Sequence, residues 1–175
     1  MSVLAHRAGR TVLAPRAPVG TRRTDCAVHA VVAVQAGGAV VSLRALPALR
    51  TGFSGENGRW TCYAHAREEV HQFVFYSVLP VNAPPDKLQS VAEFITRANY
   101  GMIVGNFELN FEDGEVRYKT SIDVGDAELS LMLIKQLVYP NVATMDHYIP
   151  GLMAVIYTDT SAADAIAKVE GRSPE

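Results

Sequence analysis

The sequence predicts an α+β domain in which helices pack on an antiparallel sheet. Three features carry the prediction. Two runs, 59–66 and 72–79, have the strand character of alternating or continuous β-formers. An Asp113-Gly114 pair sits between two further alternating runs. The chain then ends in a long, very apolar stretch with helical caps.

The order of elements follows from the text of the chain. Gly52, Gly55 and Gly58, with Asn57, make a turn-rich entry. Arg59 to Ala66 alternates, which places Trp60, Cys62 and Ala64 on one face and Tyr63 and His65 on the other. A polar turn at Arg67, Glu68 and Glu69 leads into Gln72 to Leu79, which is apolar on both faces. An antiparallel strand wet on one side shows polar residues there, so this one calls for cover on both sides.

Pro80, Pro84 and Pro85 close the strand, and Leu88, Val91, Ile95, Ala98 and Met102 form a helical stripe over Asp86 to Tyr100. Asp113-Gly114 reads as a two-residue hairpin turn. That register sets Phe111 opposite Val116, Leu109 opposite Tyr118, Phe107 opposite Thr120 and Glu108 opposite Lys119. A helix over Leu129 to Tyr139 is expected to stop at Pro140, and a second, Val142 to Ile149, to break at Pro150-Gly151. Leu152 to Tyr157 reads equally as helix or strand. Ser161 with Asp164 caps a last helix, Ala162 to Val169.

Composition bounds the class. The chain has 175 residues, 49% hydrophobic and 19% charged, with a formal net charge of -2, which suits one globular domain. Cys26 and Cys62 are too few for a disulfide framework, and no run is long enough to span a membrane. A soluble, cytoplasmic protein is the expectation. The averages hide a break. Residues 1–50 carry seven arginines, no lysine, one acid (Asp25) and no aromatic residue, whereas every Phe, Tyr and the Trp lie after it. Residues 1–44 are therefore expected to be a poorly ordered basic segment, 45–170 the folded domain and 171–175 a tail. An export signal at Arg22-Arg23, a Ser-poor transit peptide, a nucleic-acid arm and a misassigned start compete for the first segment. The reading favoured is the misassigned start, because arginine without lysine beside abundant Ala, Val and Pro is what GC-rich DNA encodes.

The segments FSGENGRWTCYAHAREE (53–69), QFVFYSVLPVNAP (72–84), ANYGMIVGNFELNFEDGEVRYKTSIDV (98–124) and LIKQLVYPNVATMDHYIPGLMAVIY (133–157) together resemble the YbjN-domain family of bacterial sensory transduction regulators. The resemblance implies a type III secretion chaperone-like fold with five antiparallel strands, flanking helices, homodimers and no catalytic residues. It also implies a first strand, expected at Ala45 to Phe53.

Chemistry-bearing residues have bland explanations. Cys26/His29 and Cys62/His65 have zinc-like spacing, yet residues three apart on a strand point to opposite faces. The Gly52-Phe53-Ser54-Gly55 turn lacks the final glycine of a nucleophile elbow. Glu112, Asp113 and Glu115 crowd a hairpin tip, as solvated turn residues do. His71, and His147 beside Asp146, have no nucleophile in view, and Met132, Met145 and Met153 read as core.

The expected function is that of a non-enzymatic regulator or chaperone-like adaptor that binds a protein and forms homodimers, with no cofactor, metal, nucleic acid or membrane. The candidate interface is Val74, Phe75 and Tyr76, whichever of them faces away from the helices. The rivals are an enzyme using His65, His147 or Glu68 and a structural subunit of an assembly. Deleting residues 1–44 is expected to leave the circular dichroism spectrum and melting temperature nearly unchanged; a fall of several degrees would contradict the reading of that segment.

Overall fold

Alternation along five short segments builds an antiparallel sheet, described together with its helices in a computed structural model over residues 49–171. The strands are β1 (Leu49–Ser54), β2 (Arg59–Arg67), β3 (Gln72–Val78), β4 (Asn106–Leu109) and β5 (Val116–Asp123). They lie in the order β1-β2-β3-β5-β4. The helices are α1 (Leu88–Asn99), α2 (Leu131–Tyr157) and α3 (Ala162–Val169). The architecture is α+β, with strand β1 following on from the expected Ala45–Phe53 strand from Leu49 onward. Residues 1–48, including the segment 1–44 and the Cys26/His29 pair, and the tail after 171 lie outside the described residues.

The sheet's period of two sorts its residues. Trp60, Cys62 and Ala64 of β2, Phe73, Phe75 and Ser77 of β3, Phe107 of β4, and Val116, Tyr118 and Thr120 of β5 are all buried. The helices pack on this face. α1 contributes Val91, Phe94, Ile95 and Ala98, and α3 contributes Ala162, Ala165 and Ile166. Aromatic contacts knit the layers, with the Phe107 ring 5.5 Å from Tyr148 of α2 and Phe94 of α1 6.3 Å from the same ring. The Ser161 hydroxyl accepts from the Asp164 amide at 3.1 Å and caps α3 as its sequence indicated.

Three expectations are corrected. First, α2 does not stop at Pro140 or break at Pro150, but runs unbroken through both. An internal proline costs a helix about 3 kcal/mol. Burial of each Val, Leu, Ile or Met side chain returns about 1.5–3 kcal/mol, and twelve positions of α2 are buried. Packing outweighs the two prolines. The carbonyl that Pro150 leaves unpaired one turn back, that of Asp146, is taken by the Asn57 side-chain amide at 3.1 Å. Gly151 belongs to the same packing, since a Cβ there would lie 2.7 Å from both Phe94 and Val169.

Second, the β4–β5 register differs by two residues from the expected one. Leu109 faces Val116, Phe107 faces Tyr118, Glu108 faces Arg117 and Asn106 faces Lys119. The loop is longer than two residues because Asn110 and Asp113 turn the chain themselves. The Asn110 side chain accepts from the Glu112 amide at 3.0 Å, and Asp113 accepts from the Glu115 amide at 2.9 Å. A shift of two preserves which face each side chain takes, so the core assignment of Phe107, Leu109, Val116 and Tyr118 is unaffected. Phe111 falls out of the strand and is 54% exposed.

Third, the helices cover β3 on one face only, and this divides the three candidate interface residues. Phe73, Phe75 and Ser77 point to the helices, while Val74, Tyr76 and Val78 are half-buried on the other side. Phe75, at 1% exposure, therefore leaves the set of candidate interface residues. Of the methionines, Met145 is core, Met153 is partly buried against the core and Met132 is exposed.

Gly114 has φ +75, and a Cβ placed there would sit 2.0 Å from the Ala83 carbonyl oxygen. Gly114→Val combines a left-handed β-branched residue, costing about 1–2 kcal/mol, with that collision. Its melting temperature is expected to fall by roughly 5–10 °C. A variant melting with the parent would show that the loop conformation is wrong.

Candidate functional site

The helices leave one side of the sheet without cover among the described residues, and that side carries a different chemistry from the core. The odd positions of β2 are Arg59, Thr61, Tyr63, His65 and Arg67, against Trp60, Cys62 and Ala64 on its buried face. Val74, Tyr76 and Val78 of β3 and Arg117, Lys119, Ser121 and Asp123 of β5 share the open side. Strand pairing aligns these in rows. Tyr63, Tyr76 and Lys119 form one row, His65, Val74 and Ser121 the next, and Arg67, Gln72 and Asp123 the last.

The centre of the face is an aromatic and cationic groove of about 420 Å³, lined by residues that include Tyr63, His65, Val74, Tyr76 and Arg117. The Arg117 guanidinium lies 4.6 Å from the Tyr76 ring centre, a cation–π contact, and the His65 ring meets Tyr76 edge-on at 5.8 Å. Arg117 is also 2.7 Å from Glu108 and 3.7 Å from Glu115, and Lys119 pairs with Glu108. Partial burial raises the Glu108 carboxyl, but hydrogen bonds and charge from Lys119 and Arg117 outweigh it and hold the group below the ordinary carboxyl range. At the rim, hydrogen bonds from the Gln72 side chain and the Gly125 amide likewise hold Asp123 ionised.

Of the sequence candidates, Val74 and Tyr76 stand on this face and Phe75 on the other. His147 of the enzymatic rival is not brought to His65. His65 is on the open face, whereas His147 is exposed on α2, in the layer that covers the opposite face. Glu68 belongs to the single helical turn Glu68–Val70 after β2. His71, at φ 53, uses its ring nitrogen to hold the Gly125 carbonyl. Cys62 is buried, and that burial, against hydrogen bonds from Ser77 and Trp60, pushes its thiol up to about 11, so it is neither thiolate nor metal ligand at neutral pH. Among the described residues no group of three His, Cys, Asp or Glu is arranged to hold a metal ion.

The glycine-rich turn that resembles a nucleophile elbow is instead a cradle for a carboxylate of the same chain. The amides of Glu56 and Asn57 each donate to Asp146 at 2.9 Å, and a Cβ at Gly55 would lie 2.2 Å from that carboxylate. Its anion site is filled from α2. The acids of the β4–β5 loop, Glu112 and Asp113, are exposed turn residues. Sequence reasoning set Lys119 with Glu108 on the wet face of the hairpin and missed Arg117 and Asp123 as members of the open face. Only the pairing of β5 with β3 brings Arg117 and Lys119 beside Tyr76 and Asp123 beside Gln72, contacts between strands far apart in the sequence.

The chain belongs to the YbjN family, whose match covers residues 48–153 and which carries the description "putative bacterial sensory transduction regulator". No curated protein matches the chain significantly, and no solved structure does. No helix among the described residues is long and apolar enough to cross a membrane.

Glu108→Gln is expected to lower stability at neutral pH by on the order of 1 kcal/mol or less. Because the folded carboxyl lies below its ordinary 4.5, its stabilisation is present above that pH and is lost as pH falls through the lowered value. The stability gap between parent and variant, read from urea titrations, should therefore close in acid below about 4.5. A gap constant with pH would show that the Glu108 charge contributes nothing.

Proposed function

We propose that the chain is a non-enzymatic regulator or chaperone-like adaptor that works by holding a protein against the open face of its sheet. The observation that carries the reading is the face itself. Tyr63, Tyr76, Val74 and Val78 are half-buried apolar or aromatic groups in one contiguous patch, with Arg59 and Arg67 exposed at the ends of β2. Tyrosine and arginine are the residue types that dominate binding energy at protein interfaces, and charged groups at a rim set orientation. Membership of a regulator family supports the same reading. In this reading the protein works in the cytoplasm, where a free thiol such as Cys62 stays reduced.

The test is a photo-crosslinking amino acid, p-benzoylphenylalanine, placed at position 74 of the full chain in bacterial cells. Covalent adducts of protein size are expected from position 74 and not from position 143, on the exposed side of α2. Equal or absent adducts at the two positions would overturn the proposal. So would a small molecule retained in native mass spectrometry and lost on Tyr76→Ala.

A further inference from the structure

The contact that ties the β1–β2 turn to α2 runs through a residue with chemistry of its own. Asn57, exposed in that turn, is followed by Gly58 in the sequence's single Asn-Gly pair. We propose that Asn57 is a self-modification site: the Gly58 nitrogen attacks the Asn57 side-chain amide, and the deamidated product unlatches the turn from α2. The inference does not rest on the reading of the open face.

The step balances with water as the one co-reactant. The Gly58 nitrogen loses its proton and bonds to Asn57 Cγ. The side-chain nitrogen takes up a proton and leaves as ammonia, closing a cyclic succinimide. Water then opens the ring at either carbonyl, which gives an aspartate or an isoaspartyl linkage in which the backbone runs through the side chain. Glycine favours the closure because it has no Cβ to crowd the attacking nitrogen or restrict its backbone.

The structure leaves that nitrogen free and restrains its target. Among the described residues the Gly58 amide has no hydrogen-bond acceptor, although the Gly58 carbonyl accepts from Gly55 at 2.9 Å. The Asp113-Gly114 pair is built the opposite way. The Gly114 amide donates to the Asn110 carbonyl at 2.8 Å, and Gly114 is buried against Ala83, so its nitrogen is occupied. What restrains Asn57 is Asp146. The Asn57 side-chain nitrogen donates to the Asp146 carbonyl at 3.1 Å, and the Asn57 backbone amide donates to the Asp146 carboxylate at 2.9 Å. Ring closure turns the side chain toward Gly58, so it proceeds from molecules in which this clamp has opened.

The product cannot close the clamp again. A carboxylate at position 57 has no proton to give the Asp146 carbonyl, and it sets a negative charge beside the Asp146 carboxylate. That carbonyl already lacks a helical partner because of Pro150. An isoaspartyl linkage also lengthens the backbone by a methylene in a turn with no spare room, since even a Cβ at Gly55 would lie 2.2 Å from the Asp146 carboxylate. The device is one-way: a closed clamp protects Asn57, an open one exposes it, and conversion holds it open.

The experiment incubates the full chain in warm, mildly alkaline buffer and follows the tryptic peptide 51–59 by mass spectrometry, with aspartyl and isoaspartyl forms separated. The parent is expected to convert at Asn57 while Asp113 stays unisomerised. In Gly58→Ala the added Cβ meets Ile149 no closer than 3.5 Å, an ordinary contact that leaves the fold intact. That variant should convert about tenfold more slowly, because its backbone is restricted and its nitrogen crowded. Asp146→Ala, which removes the carboxylate half of the clamp, should convert several-fold faster than the parent. Hydrogen exchange read by NMR at the amides of Glu56 and Asn57 should quicken in the aged parent and in fresh Asn57→Asp, and stay slow in aged Gly58→Ala. A folded parent that remains unmodified, or equal conversion in the parent and Gly58→Ala, overturns the site. Conversion that leaves exchange at positions 56 and 57 unchanged overturns the unlatching, and an Asp146→Ala rate no higher than the parent's overturns the protection by the clamp.

Discussion

One helix decides what this sheet can do. α2 buries twelve positions against the sheet and the other two helices, and the free energy of that contact is large enough to carry the helix through two prolines. Where the helix sits is fixed by a polar side chain rather than by shape alone. The Asn141 amide reaches the carbonyls of Phe75 and Tyr118 and the Thr120 hydroxyl, so it touches β3 and β5 together, and Thr120 in turn donates to the Leu137 carbonyl of α2. The Asn141 Oδ1 is buried without a partner among the described residues, at a cost of about 1–3 kcal/mol. An apolar residue there would avoid that cost and leave the helix free to slide. With the helices committed to one face, the other is left to Tyr63, Tyr76 and their charged neighbours.

Much of the fold was legible because period-two and period-3.6 patterns are local. The alternation of Trp60, Cys62 and Ala64 with Tyr63 and His65 gives β2 and both its faces directly, and Ser161 with Asp164 gives the start of α3. The errors have physical sources too. Aspartate-glycine suggests a two-residue turn, but Asn110 and Asp113 supply their own side-chain turns and lengthen the loop. Proline rules describe an isolated helix, and α2 is not isolated.

The site was half legible for the same reason. Val74, Phe75 and Tyr76 are consecutive, and consecutive strand residues cannot share a face, so the triplet was bound to divide. Arg117, Lys119 and Asp123 could not be assigned to the face from the sequence, since β5 reaches β3 only after α1 and β4 have intervened. The chemistry of the face follows from this assembly. Arg117 and Lys119 hold the Glu108 carboxyl below its ordinary range, and Arg117 also lies over the Tyr76 ring.

The Asp146 clamp has a consequence for the order in which the molecule can form. The turn between β1 and β2 is made early in the chain, yet the carboxylate that ties down its amides lies 90 residues later than Glu56. On the ribosome the first hairpin must therefore wait, without this tether, until most of α2 has been synthesised and has left the exit tunnel. Long-range closure of this kind is slow relative to local helix formation. The edge strand β1 thus spends the interval with its turn unanchored, and the nascent chain is most open to strand-pairing errors at the end of the sheet that is translated first.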